Sequence, residues 1–427
     1  MSQTLAARIA AEFATAAEQL PEGIVSAERR RLAVAALGVQ GLPAGRDENW
    51  KYANLRALER VRFTPAGAVP ATAEPPAPLC AADLPAVLPG YSRFVFVDGA
   101  FAAELSSARV PVAAAVGLPA HAIAGDARFA LLNDAFANDA AVLQVGPGAA
   151  SLVEVVFVAR AAGSVAASYP RLQVQVASTA CLTLIERHVS VAGDANFTNV
   201  AVEIDVGRGG KFTHFRVQQM GMRATWIDTL SADIAQDACY QQHLVQLGAL
   251  AARSTVHVRL CGPGAAVKLH ALSAAKGPQV HDAYALVEHI APHATSEQVF
   301  RGIAAGRARV AFNGKVTVRA GAHGSDSRQS LRGLLAGPEA EIDVRPQLEI
   351  HTDDVRCSHG ATAGKLDDAV LFYLLSRGLA PDTAQQLLKW AFLADVVGKI
   401  EIPELRRSVE LALAGSIEVT ADLKELL

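Results

Sequence analysis

The residues best suited to chemistry fall late in the chain, in the run HTDDVRCSHGATAG from His351 to Gly364. Two His, one Cys and two Asp lie between His351 and His359. If this run is extended, its side chains alternate, and His351, Asp353, Cys357 and His359 point to one side. A soft thiolate beside an imidazole suits zinc or iron–sulfur chemistry. A closed structural zinc site needs four ligands. Cys357 and His359 supply two, and no second pair follows at zinc-finger spacing. The plain alternative is a buried Cys and a hydrogen-bonded His at a turn.

A second group sits in HDAYALVEHIAPHATSEQ: His281, Asp282, Glu288, His289 and His293. It lacks the H-E-x-x-H order of a metalloprotease. Its expected place is the outer side of a strand and the turn after it. The Gly-rich pieces GRGGKF and GPGAAVK miss the P-loop spacing and read as corners between strands. No G-x-S-x-G marks a serine hydrolase, and no nucleic-acid motif is present. Trp50, Lys51 and Tyr52 read as aromatic packing between an N-terminal helix and the body.

These residues need elements to position them. The chain has 427 residues, 51% hydrophobic and 19% charged, with a net charge of −3. That is apolar enough for a large core and too weakly charged to recruit nucleic acid or an anionic membrane. Apolar runs are far too short for a transmembrane helix. The first residues read as an amphipathic helix on Leu5, Ile9, Phe13 and Leu20, without the layout of a signal peptide. Five scattered Cys argue against a disulfide framework and for a reducing, cytoplasmic setting.

Three parts follow: residues 1–90, helical with a Pro/Ala-rich linker; 91–366, a β body interrupted by a short helix in DARFALLNDAFAND; and 367–427, helical. Within the β body, segments starting at Arg171, Val200, Leu230 and Val256 each read as strand, short turn, strand. They recur roughly every 28 residues, a period typical of stacked repeats. Alternation at period two leaves one face buried. Such units bury their inner faces only by stacking, as in a parallel β-helix; an antiparallel sandwich is the alternative. In the last part, Gly378 suits a helix C-cap, and Pro381, Asp382 and Thr383 suit a helix start. Ala384, Leu387, Leu388, Ala391 and Phe392 form one apolar stripe there. Trp390 lies off it, and Phe372 and Tyr373 crowd adjacent positions.

PQLEIHTDDVRCSHGATAGKLDDAVLFYLLSRGL closely resembles the C-terminal signature of the SufD branch of the SufB/SufD family, which serves Suf iron–sulfur cluster assembly. The matching pieces are Pro346 to Ile350, Asp353 to Val355, Cys357 to Thr362, and Leu371 to Gly378. VEHIAPHATSEQVFRGIAAGRARVAFNGKVTVRAGA is similar to the family's preceding block, and ENWKYANL to its N-terminal motif. The resemblance implies a mainly β fold, a right-handed parallel β-helix flanked by helical domains. It implies a non-enzymatic scaffold whose partners are SufB, through the β-helix, and the ATPase SufC, through the C-terminal helices. Phe372, Tyr373 and Trp390 are then the candidates to fill a groove on SufC. A homodimer in isolation is the alternative pairing.

Clusters or iron would be held transiently near the SufB interface, with His359 contributing and Cys357 beside it. No dedicated cofactor is expected. Family members often carry Tyr where this chain has His351. A SufB-like primary scaffold is the runner-up, but that branch usually carries a His-Glu-Ala run in place of Cys-Ser-His-Gly. A β-helix enzyme acting on polysaccharide would want an exposed row of acids and basic residues, which the sequence does not show.

Overall fold

Val200, Val202, Ile204 and Val206 alternate along one strand, and all four enter a single apolar interior. The same phase recurs coil after coil, so the strands stack as a parallel solenoid and not as a sandwich. The computed structural model describes residues 4–21, 23–65, 79–107, 126–160, 166–191 and 195–417. Most of the Pro/Ala-rich linker expected from the sequence lies outside them, over 66–78.

The N-terminal part contributes α1 (Leu5–Ala16) and α2 (Ala27–Gln40), each N-capped by a hydroxyl, Thr4 and Ser26. The β body begins with β1 (Ser92–Val97) and β2 (Ala100–Phe101), then α3 (Arg128–Phe136). Next come β3 (Ala141–Val145), β4 (Ala150–Ala159), β5 (Ala166–Ser168), β6 (Arg171–Val176) and β7 (Cys181–Ser190). The middle coils are β8 (Asn196–Val206), β9 (Lys211–Gln219), β10 (Thr225–Ile234), β11 (Cys239–Gln246), β12 (Ala251–Leu260) and β13 (Ala266–Gly277). The last are β14 (Val280–His289), β15 (Thr295–Gly306), β16 (Arg309–Val318), β17 (Ser325–Ala336), β18 (Glu341–Ile350) and β19 (Val355–Gly364). Three helices follow: α4 (Asp368–Ser376), α5 (Pro381–Val397) and α6 (Pro403–Ser416).

From β6 onward the chain alternates between two sheets. One runs β19-β17-β15-β13-β11-β9-β7-β4-β1-β2, the other β18-β16-β14-β12-β10-β8-β6-β3 with β5 beside β8. Pairing along the coils is parallel and in register; the β1–β2 hairpin is antiparallel. Each inward residue therefore sits on its counterpart one coil away. Leu182, Phe212, Tyr240, Val267, Ser296, Ser327 and Cys357 form one such column.

The corners repeat as strictly as the strands. Thr179, Gly209, Asp237, Gly264, His293 and Gly324 all take positive φ, between 55° and 71°. Their amides step from coil to coil, as in Asp237 N to Pro263 O at 3.0 Å and His293 N to His323 O at 2.8 Å. Glycine suits this left-handed position, so GRGGKF and GPGAAVK are corners as expected. His293 holds the same post. Gly262 answers a different need: a Cβ there would lie 2.1 Å from the Gln236 backbone nitrogen of the neighbouring corner.

Helices cover the body. Ile9, Phe13, Leu37 and Trp50 pack with Phe129, Leu132, Tyr169 and Phe197. Trp50 is buried, donates from Nε1 to Asp126 at 2.6 Å and lies 4.4 Å beneath the Arg253 guanidinium, which bears out the packing role read for that aromatic. At the other end, Leu393, Val396, Val397, Leu405, Val409 and Leu413 of α5 and α6 pack on Ile185, Phe215, Val217 and Leu272, the outward row of the larger sheet. The apolar stripe read on α5 is corrected here: Leu387 and Ala391 are exposed, and the buried face is Ala384, Leu393, Val396 and Val397. The helix is apolar on two overlapping stripes, and the sheet selects the one that meets its own outward row.

Candidate functional site

β18 and β19 each end their sheet, so each has one strand edge that no described strand pairs. Their inward residues are correspondingly open. Ile342, Val344 and Leu348 are half-buried against the core, while Ile350 and Ala361 are exposed. An unpaired edge is a template for further strand addition. A solenoid end with an apolar inner face calls for a cover.

The signature run is not extended throughout. β18 stops at Ile350, residues 351–354 make the corner, and β19 starts at Val355. Thr, Asp and Asp favour that turn, and the Asp354 carbonyl accepts from Gly324 N at 2.7 Å. The expectation that His351, Asp353, Cys357 and His359 share one face is therefore corrected. His351 sits exposed at the corner with Nε2 2.9 Å from Glu349 Oε1. Lys315 and His351 together hold the Glu349 carboxyl below its usual range. Asp353 is exposed.

Cys357 and His359 do share a face, the inward face of the terminal coil, over Ser327 and Gln329. Cys357 is half-buried against the core, and burial pushes its thiol up, with Asp326 adding to the effect. His359 is exposed. One imidazole and one thiol leave a metal or cluster short of donors. Among the described residues, no three His, Cys, Asp or Glu gather in a way that could hold a metal ion.

The second His group is not one site. Ala283, Ala285 and Val287 point into the core, so His281 and His289, in the same phase on β14, point inward too. Both are 0% exposed, which corrects their expected outward placement. VHDAYALVEH is apolar in both phases, and alternation alone does not say which phase is the inner one. His281 meets Ser273 at 2.9 Å, and His289 meets Ser296 at 2.8 Å and Ser325 at 3.1 Å. Burial lowers both imidazoles to about 4. Asp282 and Glu288 take the outward phase, paired to Arg253 and to His257 and Arg319.

A charged group that no motif marks lies in the middle of the solenoid. Glu186 and His188 of β7, His214 and Arg216 of β9, and Asp228 of β10 are each 0–1% exposed. Arg216 bridges Glu186 at 2.8 and 3.0 Å and Asp228 at 2.7 and 2.8 Å. His188 Nε2 is 2.5 Å from Glu186, His214 Nε2 is 2.9 Å from it, and Ser254 donates to Asp228 at 2.8 Å. Burial raises the Glu186 carboxyl, but the Arg216 charge and the two imidazoles outweigh it and leave it well below the usual range. Burial lowers His214, which Glu186 only partly offsets. The signal was legible in phase: Leu182, Leu184, Glu186 and His188 continue one inward series. A cavity of about 20 Å³ between Gln242, Ser254 and Phe312 adjoins this group, room for one water.

The three aromatics proposed for partner binding separate as well. Phe372 and Tyr373 on α4 are 72% and 54% exposed, and no residue of α4 is buried. Trp390 is half-buried against the cluster beneath α5 and α6. No helix among the described residues is long and apolar enough to cross a membrane.

Known proteins are similar to this chain in sequence. The family described as SUF system FeS cluster assembly, SufBD core domain, matches residues 157–392. The chain is 30% identical over 381 residues to the iron-sulfur cluster assembly protein SufD of Escherichia coli, spanning 86% of this chain and 88% of that one. It is 29% identical over 417 residues to an iron-sulfur cluster assembly SufBD family protein of Synechocystis, spanning 90% of each. With its solenoid, its terminal Cys357–His359 face and these relatives, the chain belongs to the SufBD family of iron–sulfur cluster assembly proteins.

Proposed function

We propose that this chain is a non-enzymatic scaffold subunit of a SufB–SufC–SufD-type complex. It pairs with a SufB-type paralogue through the open end of its solenoid and with a SufC-type ATPase through its C-terminal helices. Clusters or iron pass through the SufB-side interface as cargo. The observation that carries this reading is the terminal coil: two strand edges that no described strand pairs, an apolar face that no described element covers, and two soft donors on that same face. A second copy of the chain can meet the same edges when the paralogue is absent. Two donors need others to complete a site, and a partner chain placed on this end supplies them.

The ATPase contact rests on α4. Large aromatics in water on an otherwise unburied helix are typical anchors for a partner groove. Trp390 contributes indirectly, since its ring already packs on the body. α5 and α6 cover an apolar cluster of the sheet, so deleting the C-terminal part would uncover that cluster and confuse loss of folding with loss of binding. Point changes avoid this. The Phe372→Ala/Tyr373→Ala double variant is expected to co-purify with the SufB-type partner at wild-type yield while retained SufC-type ATPase falls at least tenfold, about 1.4 kcal/mol or more. Undiminished ATPase in the purified complex would reject α4 as its docking element.

A further inference from the structure

The inward column that ends on His359 runs Leu269, Gln298, Gln329, His359 across successive coils in register. Gln298 and Gln329 are 0% and 4% exposed. The Gln329 amide has its orientation set by chemistry: Nε2 donates to the Gly314 carbonyl at 2.9 Å and to Gln298 Oε1 at 3.2 Å. Both amide hydrogens are spent, and a flipped amide would face oxygen to oxygen at each contact. What is left is Gln329 Oε1. It is closed off from solvent and, among the described residues, has no hydrogen-bond partner. Oε1 only accepts, so it needs a donor. The next residue in its column is His359, one strand away, about 4.8 Å backbone to backbone; its exposed ring does not meet Oε1 as it stands, but a neutral imidazole has one N–H to give once the ring turns inward.

We propose that Gln329 is a positioning residue for His359: its Oε1 accepts the N–H of one ring nitrogen, selecting one neutral tautomer and leaving the lone pair of the other nitrogen for the open face. This rests on the reading of His359 as the group that meets cluster cargo. An imidazole that serves as a ligand ordinarily gives its second N–H to a carbonyl or carboxylate, which sets both tautomer and ring plane. Gly314 completes the arrangement. It has no positive φ, so its need is for room: a Cβ there would sit 2.5 Å from Gln298 Oε1 and 3.0 Å from Gln329 Nε2. A side chain there would displace the amide pair from its present position.

The test is a spectroscopic signature that mere structural support would not move. The full chain is labelled with ¹⁵N-histidine, His359 is assigned by its loss in His359→Gln, and long-range ¹H–¹⁵N correlations report the tautomer of the neutral ring. One predominant tautomer is expected in the wild type. Gln329→Met, of similar length but without the oxygen, is expected to show the mixture of an unconstrained imidazole. Gly314→Ala crowds the amide pair while leaving Gln329 and His359 themselves unsubstituted, and is expected to give the mixture too. A tautomer mixture in the wild type, or an unchanged single tautomer in Gln329→Met or Gly314→Ala, overturns the proposal. In the assembled complex, Gln329→Met is expected to lower iron and sulfide about tenfold. The NMR result stands apart from the cargo reading: normal iron and sulfide in a His359→Gln complex would reject the cargo role of His359, while the tautomer still decides whether Gln329 positions it.

Discussion

Replacing the buried Arg216 by Leu is expected to remove about 3–5 kcal/mol of folding stability. Arg216 makes bidentate contacts with two carboxylates, Glu186 and Asp228, inside the solenoid. With the guanidinium gone, both acids stay buried, served only by His188, His214 and Ser254. An uncompensated buried charge is strongly destabilising, whereas removing every charge of such a group is often close to neutral. The expected pattern is therefore non-additive. Adding Glu186→Gln and Asp228→Asn to Arg216→Leu should recover part of the loss. Denaturant midpoints of the purified chain measure it. A loss below about 1 kcal/mol, the range of an exposed ion pair, would show that this group does not hold the middle coils together.

The second large effect is on cargo. His359→Ala is expected to leave the melting temperature and complex formation unchanged while iron and sulfide in the assembled complex fall tenfold or more, because loss of even an outer-shell partner of a metal ligand typically costs that much. Folding is spared because the side chain is exposed on an edge strand. Cys357→Ala should do less. Its thiol is half-buried and pushed up by that burial, so at neutral pH it is largely protonated and a poor ligand. Iron and sulfide analysis of the two variant complexes beside the wild type checks both statements. Equal loss in the two would mean that the cysteine matters as much as the histidine, against this expectation.

Much of this was legible in the chain because a solenoid repeats its constraints. Val200, Val202, Ile204 and Val206 announce their inner face, and Gly209 and Gly264 mark corners wherever glycine holds the left-handed position. The same corner filled by Thr179, Asp237 or His293 carries no such mark, and His293 consequently read as a member of a His cluster. Phase was the harder problem. On β14 and α5 two sets of apolar positions compete, and which set is buried depends on the neighbouring sheet or helix. Cys357 and His359 were found by spacing, since a two-residue step survives in any strand. The separation of His351 from them depended on where the coil turns, which local propensity marks only loosely. Glu186, Arg216 and Asp228 come from different strands, and only the register between coils brings them together.

The central claim is that the terminal coil is the end on which the SufB-type partner docks. Hydrogen–deuterium exchange on the chain alone and in the co-expressed complex tests it most directly. Strand addition to an edge would occupy backbone groups of β18 and β19 that no described strand pairs. Peptides across 341–364 should therefore exchange markedly more slowly in the complex, while those in the middle coils, already paired on both sides, should not change. A stable complex in which 341–364 exchanges as fast as in the free chain, with new protection elsewhere, would contradict the account.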